Sequence, residues 1–264
     1  MNEQSETTAG SPAASALVVG GTAGIGMSCA VALLQAGTSR LVVASRNKER
    51  GAGAEQQLRE RFPGADIAYI RCDSRDPADA QALADKAAAR MGGIEALISC
   101  GGGDPMPRLL HETAIGEVMP ILNSIVAGIV LPARAVLEQM TRQGSGSVIC
   151  FASDAAKIAT PGETVIGAAM AAIVMFCRGM ANEAKRNGIR VNCLTPSIVR
   201  GTPLYDKLMA DPFSGKLFGK AEKLAALGIA EPEDLAAMAA FLASSAARRV
   251  TGQTISVNGG ISAI

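Results

Sequence analysis

A single α/β domain, with a parallel sheet of about seven strands and helices wound on both faces, is the fold class this sequence predicts. Short aliphatic runs alternate with longer helical stretches from one end of the 264-residue chain to the other. Most of those runs are continuously apolar, as expected of strands covered on both sides. No internal repeat, low-complexity linker or charge block marks a second domain, and the length suits one large domain with a substantial core.

The first 14 residues, MNEQSETTAGSPAA, are polar and small and lack the apolar stretch of a secretion signal. They read as a disordered tail, with the domain spanning 15–264. Strands are expected at 16–20, 41–44, 67–70, 96–99, 147–152, 190–194 and 254–257, each bounded by Gly, Asp, Asn or a change to helical periodicity. Helices fill the gaps at 25–36, 47–61, 77–91, 115–141, 165–187 and 232–243. The longest stretch between core elements, 197–230, holds Gly201, Pro203, Pro212 and Gly215 and reads as an irregular insertion. After a strand's carboxyl end, such an insertion is where a substrate lid would sit.

Composition narrows the function. With 6 Phe, 2 Tyr and no Trp, the core must be aliphatic, and Ala-rich helices can pack closely on a sheet. A net charge of +1 with both signs scattered argues against nucleic acid or an anionic membrane as partner. No unbroken apolar run approaches the roughly 20 residues that span a bilayer. The 6 cysteines are widely spaced without a CxxC pair, which reads as reduced, buried thiols in a cytoplasmic protein and as no metal site.

Directly after the first strand comes VVGGTAGIG, which places Gly20, Gly24 and Gly26 around Thr22, Ala23 and Ile25. Such a loop asks for glycine three times: for a tight turn, for close approach of the backbone to a pyrophosphate, and for packing of the next helix on the strand. Free N–H groups and the dipole at the helix start then attract phosphate charge. At the first strand–helix junction of an α/β pattern, this predicts a Rossmann fold that binds a dinucleotide.

These residues, with the rest of the chain from about Ser15, resemble the short-chain dehydrogenase/reductase family. The family's Thr-Gly-x-x-x-Gly-Ile-Gly loop matches 19–26, with Val19 in place of Thr. Its adenine-contacting Asp matches Asp73 in CDS, followed by Ser74, and its Asn-Asn-Ala-Gly matches Ser99-Cys100-Gly101-Gly102, a degraded version. Its Pro-Gly motif matches Pro196-Ser197, with Val199 and the carboxamide contact Thr202 beyond it. GIRVNCLTP, PEDLAAMAAFLAS and VTGQTISVNGG look like the family's C-terminal half. The resemblance implies cofactor contacts at all these positions, and two-fold interfaces that make a homodimer or homotetramer.

The second strand ends LVVASRN, with Ser45 where NAD enzymes carry an acidic residue and Arg46 after it. A hydroxyl and a guanidinium can receive a 2′-phosphate by charge-assisted bonds, so NADP(H) is the expected cofactor. The alternative is that Arg46 merely opens the next helix.

The family's catalytic groups are a Ser, a Tyr thirteen residues later, a Lys four beyond that, and an Asn on an earlier helix. Ser153 matches the serine, but the tyrosine and lysine positions fall on Ile166 and Met170 in IGAAMAA, and the asparagine position on Ile125. Asn123 lies two residues from Ile125, where a local bulge would be needed to bring it in. A positioned proton donor contributes about 10²–10⁴ in rate, or roughly 3–5 kcal/mol, so ordinary ketone reduction is not expected. Asp104, His111, Asp154, Glu163 and Tyr205 are the replacement groups to examine, each with a surface or capping role as the plainer reading. The sequence therefore points to an NADP(H)-dependent oxidoreductase with altered proton handling, acting on an apolar small molecule. A non-redox enzyme that keeps NADP structurally and a catalytically silent binding protein or subunit stay open.

Overall fold

Seven parallel strands form one sheet in the order β3-β2-β1-β4-β5-β6-β7 in the computed structural model, which describes residues 10–264. They are β1 (Ser15–Val19), β2 (Arg40–Ser45), β3 (Asp66–Arg71), β4 (Ala96–Ser99), β5 (Gly146–Phe151), β6 (Ile189–Thr195) and β7 (Thr254–Ser256), all within a residue of expectation. The helices among the described residues are α1 (Gly24–Gln35), α2 (Lys48–Arg61), α3 (Pro77–Met91), α4 (Ile115–Gln143), α5 (Thr164–Ala184), α6 (Pro203–Ala210), α7 (Pro212–Glu222) and α8 (Pro232–Ala243).

Side-chain alternation explains why helices are needed on both faces. Along β1, Leu17 and Val19 enter one core with Val42 and Ala44 of β2, while Ala16 and Val18 enter the other with Leu41 and Val43. Helices α3, α4 and α5 close the first core, and α1, α2 and α8 the second. Two hydroxyls buried on the strands are tied down: that of Ser99 donates to the Ile129 carbonyl at 3.0 Å, and that of Ser147 to the Leu242 carbonyl at 2.9 Å.

Two expectations need correction. Segment 197–230 is largely helical, because Pro203 and Pro212 open α6 and α7 instead of breaking the chain. Proline in a first turn lacks only an N–H that would have no helical partner. Thr202 and Asp211 cap these helices, accepting from the N–H groups of Tyr205 at 3.1 Å and Ser214 at 2.7 Å. The folded body also begins before Ser15. Ala13 is buried, its carbonyl accepts the Thr38 hydroxyl at 2.8 Å, and the Ala14 N–H donates to Glu95 at 2.8 Å. The expected tail up to residue 9 lies outside the described residues. Helix α4 and the helical stretch from Thr164 are long and apolar enough on average to cross a membrane, although Asn123 and Arg134 interrupt the run in α4. Here both lie on the sheet, with Ile129, Val136 and Met140 of α4 and Ile173 and Cys177 of α5 buried in its core.

Candidate active site

β1 pairs with β2 on one side and β4 on the other, so the chain crosses over in opposite directions from it and leaves a crevice at the strands' carboxyl ends. Gly20 turns out of β1 with φ 83°, and a Cβ there would stand 2.9 Å from the Cys100 carbonyl oxygen. A Cβ on Gly26 would stand 2.2 Å from the Gly20 oxygen. Only glycine lets β1, α1 and the loop after β4 close up this far. α1 starts with no side-chain cap and no acidic residue in its first turn. Its N–H groups and positive end are therefore left for an anion.

A cleft of about 430 Å³ runs from the turns after β2 and β3, past this loop, to α5 and α6. It brings together the expected residues Gly20, Ala23, Gly24, Ile25, Gly26 and Ser45 with Arg46, Ser74, Cys100, Gly101, Ser153, Pro196, Val199 and Thr202. Two expected residues are not on its wall. Thr22 is buried. The Asp73 carboxylate is taken by Arg75, accepting from Nε at 2.9 Å, Nη2 at 2.7 Å and the backbone N–H at 3.1 Å. That hydrogen-bonded guanidinium holds the carboxyl down to about 2.

The wall also contains two cations that the sequence reading missed, Arg50 in the first turn of α2 and Arg75 in the turn before α3. With Arg46 they place three guanidinium groups at one end of the cleft. The signal was present in the sequence: the arginines closely follow the carboxyl ends of β2, next to β1, and of β3, next to β2, on the edge of the sheet where ligands of open α/β sheets sit.

The other end is apolar. Ile166, Met170 and Ile173 face it from α5, Ile125 from α4, and Leu208 and Phe218 from α6 and α7. Ser153 is a neutral polar group beside these side chains: Oγ accepts the Ala155 N–H at 3.2 Å, which leaves the O–H free to donate into the cleft. The Cys100 thiol donates to the Val19 carbonyl at 3.2 Å, and burial pushes it up to about 12, so it is no nucleophile at neutral pH.

The replacement candidates separate sharply. Asp154 is buried away from the cleft, accepting from the hydroxyls of Ser256 at 3.0 Å and Ser262 at 2.9 Å and pairing with Lys157 at 3.5 Å. Tyr205 lines the cleft, but its hydroxyl donates to Glu222 at 2.7 Å. His111 is exposed beside Glu112, and Asp104 is an exposed residue of the rim. Asn123 is exposed on an unbroken α4, so no bulge brings it to the cleft. Glu163 is half-buried on the cleft wall, and burial pushes its carboxyl up against a smaller downward pull from the Thr160 hydroxyl.

Fold and cleft together define a dinucleotide-binding protein of the Rossmann type. Residues 20–262 match the family described as enoyl-(acyl carrier protein) reductase, and the chain belongs to the short-chain dehydrogenase/reductase family. It is 31% identical to momilactone A synthase of Oryza sativa subsp. japonica over 94% of this chain and 90% of that one. A short-chain oxidoreductase of Pseudomonas aeruginosa PAO1, solved with NADPH bound and described as containing an atypical catalytic center, is 29% identical with a TM-score of 0.85, covering 94% of this chain and 96% of its own. A gluconate 5-dehydrogenase of Burkholderia cenocepacia J2315, solved with NADP and tartrate, is also 29% identical, with a TM-score of 0.82 and 94% of each chain covered.

Proposed function

We propose that this protein is an NADP(H)-dependent oxidoreductase whose catalytic site is non-standard, with Ile166 and Met170 in place of the family's Tyr and Lys. The observation that carries this reading is the continuous cleft, with arginines at one end and apolar side chains around one serine hydroxyl at the other. The relatives solved with NADP and NADPH support it. Arg46, Arg50 and Arg75 fit a 2′-phosphate, and the uncapped start of α1 fits the pyrophosphate. The cofactor, when bound, supplies hydride at its nicotinamide ring. Ser153 donates a hydrogen bond to the acceptor's oxygen, Ile125, Ile166 and Met170 exclude water, and α6 with α7 closes over the cleft as a lid.

Without the tyrosine and lysine, the acceptor is one already activated, such as a conjugated enone, an iminium ion or an activated carbonyl, on an apolar small molecule. A second hollow of about 510 Å³ shares Pro105 and Ile166 with the cleft and gives an elongated acceptor room. Calorimetry tests the cofactor assignment: NADPH should bind more tightly than NADH, and equal affinities would sink it. Ile115 and Met119 of α4 and Met175 of α5 are exposed apolar residues, which supports a homodimer or homotetramer. A monomeric mass by light scattering at micromolar concentration contradicts that. The six free cysteines suit the cytoplasm, which cell fractionation checks.

A further inference from the structure

We propose that Glu163 is the proton donor of this site, a role that rests on the oxidoreductase reading above. Glu163, the residue just before α5, and Ile166, Met170 and Ile173 within it all line the cleft. That places Glu163 three residues before the position where the family carries its tyrosine, on the turn that leads into the helix. Its flexible side chain can deliver a carboxyl toward the space that the isoleucine leaves free of any acid.

The only group acting on the carboxyl besides burial is the Thr160 hydroxyl, and it is the weaker influence. Glu163 occupies the capping position just before α5, yet its side chain caps none of the helix N–H groups. No ion pair involves it among the described residues. Its backbone is fixed, since its carbonyl accepts the Gly167 N–H at 2.6 Å and the preceding Gly162 carbonyl accepts the Arg108 N–H at 2.8 Å. Phe213 of α7 lies against Gly162, so the proposed lid packs on the turn that presents the acid. Burial favours the protonated form, while the charged side chains Asp104 and Lys207 on the same cleft wall, and Arg108 whose backbone bonds Gly162, are exposed. The other candidates are engaged elsewhere or face solvent. A carboxyl whose protonated form burial favours and the Ser153 hydroxyl thus share one cleft wall.

The step balances as follows. As the acceptor carbon of an activated carbonyl takes hydride from NADPH, the C–O π pair moves onto oxygen. Glu163 gives its proton to that oxygen and is left as carboxylate, which regains a proton from water. The acceptor is reduced by two electrons and the pyridine nucleotide is oxidised.

The test uses the full chain, NADPH and an ortho-quinone, 9,10-phenanthrenequinone, as the acceptor. E163Q should lose about 10²-fold or more in kcat, with NADPH affinity and the KM for the quinone within about twofold of wild type. Glu163→Asp keeps the acid and should retain most of what the glutamine variant loses; it also serves if that variant fails to fold. A second readout needs no turnover. The infrared spectrum of the cofactor-free protein should contain a protonated-carboxyl carbonyl band that moves on ¹³C-glutamate labelling, outlasts those of the exposed glutamates as pH rises, and is missing in E163Q. Wild-type turnover that E163Q or Glu163→Ala leaves unchanged overturns the role of Glu163 alone, as does absence of the infrared band. A wild type that binds NADPH yet reduces no quinone overturns the oxidoreductase reading and the proton donor with it.

Discussion

The two ends of the cleft are built from different materials. At one end, Gly20 and Gly26 approach neighbouring backbone so closely that any side chain would collide, and Arg46, Arg50 and Arg75 surround an uncapped helix start. At the other, the α5 stripe presents Ile166, Met170 and Ile173, with Ser153 and Glu163 as its polar groups. The first end is bound by backbone geometry that admits few alternatives. The second consists of side chains on a rigid helix, each replaceable without moving the backbone. A fold can therefore keep its nucleotide cradle while its chemistry is rebuilt, which is why function must be argued from the site and not from the fold.

The largest effect should come from converting the second end back. The wild type should show little or no NADPH-dependent reduction of simple ketones and aldehydes. Ile166→Tyr with Met170→Lys should raise that activity by about 10²–10⁴, the worth of a positioned proton donor. Either change alone should do far less, since Tyr without Lys keeps a pKa near about 10 and Lys without Tyr has no acid to tune. Thermal melts must accompany the kinetics, because an ammonium in an apolar wall is destabilising. Wild-type turnover of ordinary ketones at about 1–10³ s⁻¹ would show that the two ends are not as different as they look.

An intermediate effect should come from the arginine end. Arg46→Ala removes a charge-assisted bond worth about 1.5–3 kcal/mol from NADPH and nothing comparable from NADH. The preference for NADPH should then shrink by about ten- to a hundredfold in calorimetric titrations. No change would mean that Arg46 only opens α2 and that Arg50 and Arg75 carry the phosphate.

What was legible in the sequence follows the same division. The strands could be read because parallel strands are buried on both faces and appear as unbroken aliphatic runs; 96–99, ALIS, needed no correction. The phosphate loop was legible because only glycine satisfies its contacts. Arg50 and Arg75 were missed because their common position exists only after β2 is laid beside β1 and β3 beside β2. The helices α6 and α7 were hidden by Pro203 and Pro212, which signal a helix start as readily as a break. Asp73 matched its motif but turned out to be held by Arg75, two residues further along the same turn.

That last pair supplies the smallest and most discriminating prediction. The Asp73 carboxyl is lowered from 3.8 to about 2 in the folded protein, chiefly by the Arg75 hydrogen bonds. A depressed carboxyl contributes stability that is present above its unfolded value and is lost as pH falls through its folded one, here from about pH 4 down to about 2. The side chains are 28% and 35% exposed, so the contribution stays below about 1 kcal/mol. Asp73→Asn should flatten that part of the acid-unfolding curve, followed by circular dichroism because the chain contains no Trp. The same variant distinguishes two roles for Asp73. If it contacts adenine, as the family resemblance implies, the change weakens NADPH and NADH equally. If its work is to aim Arg75 into the cleft, as the three hydrogen bonds between them favour, NADPH weakens by less than about tenfold while NADH is unaffected. Equal losses for both cofactors would return Asp73 to the adenine site and remove Arg75 from the phosphate end.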